Sequence, residues 1–82
     1  MKLTKQEELM ALSSAIYLLG LEVEGSRVRL EELLEGGLDL ASPEVRAENE
    51  NFDRLSVEFT RLEERFLHLE KEIEQEKAED MA

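Results

Sequence analysis

The chain has 82 residues, 38% charged and 5% aromatic, with no Cys, one His and a net charge of −11. Length and composition predict one small domain, 1–82, whose core is marginal without disulfides, a metal or a second copy. The lack of Cys removes disulfides and thiolate sites, and one His leaves any metal a nearly all-carboxylate set, so self-association is the device left. Acids exceed bases in both halves, 8 to 4 in residues 1–42 and 13 to 6 in residues 43–82. That balance argues against nucleic acid and against an anionic membrane surface. The N-terminal apolar stretch is broken by Ser13, Ser14 and Gly20 and soon meets Glu22, which reads as short of the ~20 apolar residues of a membrane span. A cytoplasmic protein is expected.

Thr4 followed by Glu7 has the spacing of a capping box, in which the hydroxyl accepts from the third helical N–H and the carboxylate reaches back. From there Leu9, Leu12, Ile16, Leu19, Val23, Leu30 and Leu33 recur at alternating three- and four-residue steps, with Ser26 as the polar break. Gly36-Gly37 supplies a stop where positive φ is cheap. This predicts a helix over about 5–35 and a turn over 36–42. Gly20 and Gly25 each cost about 1 kcal/mol in a helix interior relative to Ala. A break there is the alternative to a continuous helix, which the unbroken heptad phase favours.

Ser42-Pro43-Glu44 is a second start signal, with Ser42 as cap, Pro43 at the first helical position and Glu44 against the helix dipole. A second helix over about 43–76 follows, its tail frayed after Glu74. Its seam is Val45, Phe52, Leu55, Phe59, Leu62, Phe66, Leu69 and Ile73. In an antiparallel hairpin facing residue numbers add to a constant. Leu33 with Val45, Ser26 with Phe52, Val23 with Leu55, Leu19 with Phe59, Ile16 with Leu62, Leu12 with Phe66 and Leu9 with Leu69 all do so. Small Ser26 opposite large Phe52 keeps the layer volume even. Leu30 against Glu48 is the one poor layer, and Glu48 is expected to swing toward Arg27. The fold class is all-α, an antiparallel, coiled-coil-like two-helix hairpin.

At about 100° per residue, Leu3, Met10, Tyr17, Leu21 and Val28 gather on the side of the first helix away from the seam, with small Ser14 and Gly25 along the strip. The second helix has no such strip. A helix apolar on two faces needs a second contact, and a homodimer in a four-helix bundle is the expected one. Whether the two copies of the first helix run parallel or antiparallel is open at this stage. A docking face for another protein is the alternative use.

Enzymatic arrangements are sparse: there is no Gly-rich phosphate loop and no Cys or Ser paired with His. His68 lies between Glu64 and Glu72 in a helical charge ladder, and the acid that a di-iron Glu-x-x-His motif requires is replaced by Arg65. No metal site and no cofactor are expected.

The stretch from Val23 to Phe59 resembles the small aspartyl-phosphate phosphatases that regulate sporulation, which are helical hairpins acting on a response regulator. Arg27, Leu30, Leu33, the Gly36-Gly37 turn and Ser42-Pro43-Glu44-Val45 carry the likeness. The family's Ser-Gln-Glu-Leu-Asp signature falls on Asn49-Glu50-Asn51-Phe52-Asp53, where the final Asp and the apolar character at Phe52 are kept. The resemblance implies Asp53 as the catalytic residue, with Asn49 and Arg46 as neighbours on the solvent face, and a response regulator as partner. Read from its own residues, the chain is a non-enzymatic, homodimeric protein–protein interaction module, regulatory in role. The alternatives are an aspartyl-phosphate phosphatase of a sporulation phosphorelay, and a structural subunit or co-chaperone of a larger assembly bound to another helical protein.

Overall fold

A computed structural model describes residues 2–81, so the terminal positions of the expected 1–82 domain lie outside the described residues. Two helices, α1 (Lys5–Glu35) and α2 (Pro43–Met81), make up the fold. They lie antiparallel in a rod of 62 × 24 × 16 Å, two helices wide and one deep.

The start of α1 is the expected capping box. The Glu7 N–H donates to Thr4 Oγ1 at 3.1 Å and the Thr4 N–H donates to Glu7 Oε1 at 3.1 Å. These bonds hold the Glu7 carboxyl below its usual range, the Thr4 backbone N–H being the main cause. The helix then runs without a break through Gly20 and Gly25. At its end the Leu38 N–H bonds to the Leu33 carbonyl at 3.2 Å and the Gly37 N–H to the Leu34 carbonyl at 3.1 Å. With Gly37 at φ +96, this is a Schellman closure, which satisfies carbonyls that the helix end would leave open.

The start of α2 differs from expectation. The Ser42 hydroxyl turns back to Asp39, accepting from its N–H at 3.1 Å and donating to Oδ1 at 3.3 Å. Asp39 Oδ1 also accepts from the Ala41 N–H at 2.9 Å. Ser42 therefore braces the turn instead of capping the helix with its side chain, because Asp39 competes locally for the hydroxyl. At its other end α2 does not fray after Glu74 but continues to Met81. Lys5 crosses to this end of α2, pairing with Glu72 at 3.5 Å and with Glu76.

Every seam residue is buried or half-buried, including all members of the expected layers. Leu12, Val45, Leu55 and Leu69 form the buried apolar core, each worth about 1.5–3 kcal/mol. The contacts between helices keep the antiparallel order, from Arg29–Glu48 (2.6 Å) near the turn to Arg65–Glu8 (2.5 Å) toward the open end. Between them Gly20 lies under Phe59, whose ring edge would sit 3.3 Å from an added Cβ. Gly20 thus gives Phe59 room, which offsets part of its cost to the helix.

By length and composition alone, α1 is apolar enough to cross a membrane, contrary to the reading of its N-terminal part as too short. The physical reason is that its apolar residues belong to two faces, the seam and the outer strip, and composition adds them together.

Glycine replacements separate these roles. An added Cβ at Gly25 meets only the flexible end of Arg29 at 3.5 Å, so Gly25→Ala should stabilise the hairpin by about 0.5–1 kcal/mol in urea denaturation. Gly37→Ala should destabilise it by about 1 kcal/mol, because the left-handed conformation is costly with a side chain.

Candidate functional site

The longest uncovered feature is the outer face of α1. The helix carries Met10, Tyr17 and Leu21 along its side away from α2, with exposures of 72%, 66% and 55%, whereas Leu3, expected on the same strip, precedes the extended Thr4 N-cap and so lies off the helix. Val28 is on the same strip at 37%, and Ser14 is exposed between Met10 and Tyr17. Leu18, at 61% exposed, also belongs to this surface. Helical projection puts it at the edge of the strip, outside the residues that spacing alone selects. Gly25 is half-buried and borders an open groove of about 300 Å³ with Leu21, Arg29, Asn51 and Arg54, so it marks the rim of the strip.

No charged residue occurs between Leu9 and Leu21. Charges return at both ends, Glu7 and Glu8 before the run and Glu22 and Glu24 after it. The surface is therefore an apolar centre with acidic margins. It can form a dry contact in the middle and remain solvated at its edges.

A second feature is polar and lies across the seam. Glu48 is only 14% exposed and accepts from Ser26 Oγ at 2.7 Å, Arg29 Nε at 2.6 Å and Asn51 Nδ2 at 3.0 Å. Asn51 Oδ1 in turn accepts from Arg54 at 2.6 Å. The expected swing of Glu48 toward Arg27 does not occur. Arg27 pairs along its own helix with Glu24 and Glu31, and Glu48 reaches the fully buried Ser26 one turn away. Ser26 is thus a donor to a half-buried carboxylate as well as a small side chain. The bonds from Asn51, Ser26 and Arg29 lower the Glu48 carboxyl to about 2.

The residues implied by the phosphatase resemblance are divided between two faces. Arg46, Asn49 and Asp53 are exposed on α2 at helical spacing. Among the described residues no side-chain hydrogen bond or ion pair joins them to one another. Asn51 and Phe52 turn toward α1, Asn51 into the Glu48 network and Phe52 into the seam. His68 is exposed and pairs with Glu72 at 3.0 Å, a surface contact worth little. Among the described residues no group of three or more His, Asp or Glu is placed to hold a metal ion. No protein-family model matches the chain, and neither does a curated protein or a solved structure.

The Glu48 network gives a pH signature. Because the folded carboxyl titrates near 2 rather than its usual 4.5, its stabilisation is complete above about pH 5 and is lost as pH falls from there toward 2. The stability difference between the parent and Glu48→Gln should be about 2 kcal/mol at pH 7 and shrink toward zero near pH 2, as urea midpoints across that range will show. Ser26→Ala should cost about 1–2 kcal/mol, and less than additively when combined with Glu48→Gln.

Proposed function

We propose that this chain is a non-enzymatic interaction module that homodimerises through the outer face of α1 into a four-helix assembly. In this reading it acts in the cytoplasm, in a regulatory role, by binding another protein. The exposure of Met10, Tyr17, Leu18 and Leu21 on one uncharged stretch of α1 carries the proposal. A lone hairpin leaves that surface in water, whereas an isologous contact between two copies covers it on both.

Surface area supports the same reading. The chain exposes 6507 Å², whereas a compact monomer of 9.5 kDa would expose roughly 5,000 Å². The excess is of the order that a stable interface removes. The length and composition of α1 also suit a membrane span, but one of its apolar faces is already covered by α2, and Glu22 and Glu24 fall directly after its uncharged run. With α1 enclosed between α2 and the second copy, the acidic outer face of α2 is left for the further partner. Asp53 and Glu64 are exposed there.

Sedimentation equilibrium tests the dimer. Twice the 9.5 kDa chain mass is expected at micromolar concentration, and a monomer at high micromolar concentration would overturn the proposal. Tyr17→Glu should weaken the dimer at least tenfold while leaving the helical circular dichroism in place, because Tyr17 lies outside the seam and a charge in an apolar contact is uncompensated.

A further inference from the structure

We infer that the two copies meet antiparallel, with the two-fold axis passing between Ala15 and Ile16. This rests on the dimer proposed above and deepens it by assigning the register. Within α1 the outer strip follows positions 7, 10, 14, 17, 21 and 24, a regular alternation of three- and four-residue steps. Reversing α1 about the point between Ala15 and Ile16 superposes this set on itself. A two-fold contact requires such self-complementarity, since residue i meets j and residue j meets i.

The side chains fit this reversal. Met10 meets Leu21 of the second copy, and Ser14 meets Tyr17. Small therefore lies opposite large at the two central layers, as even packing demands. A parallel pairing in register would set Tyr17 on Tyr17 next to Ser14 on Ser14, a crowded layer beside an empty one. It would also bring Glu31, Glu32 and Glu35 of both copies together at one end, where the exposed carboxylates repel. The antiparallel arrangement sends those acidic ends to opposite ends of the assembly.

Glu7 against Glu24 is the single poor layer of this register. Both carboxylates are already engaged within their own chain, Glu7 with Thr4 and Glu24 with Arg27, so they lean to the margin of the contact. Since the strip lies on the side of α1 away from the seam, the order of helices becomes α2–α1–α1–α2. The paired α1 helices form the middle of a layer and each α2 covers one outer side.

The absence of Cys makes the register directly readable. Met10 and Leu21 are both exposed in the hairpin, so Met10→Cys and Leu21→Cys should fold like the parent. A mixture of the two variants under mild oxidation should give the disulfide-linked heterodimer, since a disulfide needs Cα atoms within about 7 Å. Met10→Cys alone should not link, because its two copies stand about 16 Å apart along the antiparallel pair. Linking by Met10→Cys alone, in a protein that sediments as a dimer, would overturn the antiparallel register and leave the dimer standing. A chain that sediments as a monomer, and links in neither case, would overturn both.

Discussion

Two helices cover each other on one side only, and this constraint governs everything else in the molecule. The heptad seam gives each helix one apolar stripe, and the antiparallel pairing spends both stripes on each other. For α2 that is sufficient, because the rest of its surface is largely charged. For α1 it is not, since Met10, Tyr17, Leu18 and Leu21 remain on the far side. The asymmetry lies in the amino-acid sequence itself. One helix carries apolar residues on one side, the other on both.

Within the hairpin, apolar burial and polar bonding have different tasks. The apolar seam is regular, and regular heptads tolerate slippage by a whole repeat at limited cost. Glu48 does not. It is nearly enclosed and reaches Ser26 and Arg29 on α1 as well as Asn51 on its own helix. Sliding the helices would leave a half-buried carboxylate without its partners on α1, which costs more than the bonds themselves contribute. The network therefore acts as a register pin near the turn. The Schellman closure at Gly37 fixes the other variable, the angle at which the chain leaves α1.

Much of the fold was legible in the sequence because it follows from periodicity and from end signals. The capping box at Thr4, the Gly36-Gly37 stop and the seam on both helices each rest on spacing, and spacing is a local property of the chain. Less legible were features set by side-chain choice among several partners. Arg27 and Arg29 are both within reach of acids, and only packing decides that Arg29 serves Glu48 while Arg27 stays on its own helix. Ser42 has a helix N–H and Asp39 as rival partners. Toward its end α2 meets Lys5, far away in the chain but adjacent in space. The outer strip was readable except at its edge, where Leu18 falls outside a narrow projection. The phosphatase resemblance placed Asp53 on an exposed face. The seam pattern already turned Phe52 of the same signature inward, but sequence alone could not show that Asn51 joins the Glu48 network.

The two surfaces of α1 are energetically linked in the proposed dimer. Its middle carries Gly20, which favours bending or fraying, and the seam layers Leu19–Phe59 and Ile16–Leu62 are only half-buried there. The same stretch is the uncharged centre of the outer strip. A second copy laid against it covers the strip and holds straight the helix that α2 must grip. Folding of the hairpin and association of the dimer then favour one another, so that stability rises with protomer concentration by mass action. The turn end, held by the Glu48 network and the Gly37 closure, needs no such help. Local opening should accordingly be easiest in the middle and at the N-terminal end of α1, and hardest beside the turn. A chain this small can thus keep its register as a monomer while relying on its partner for the rest of its stability.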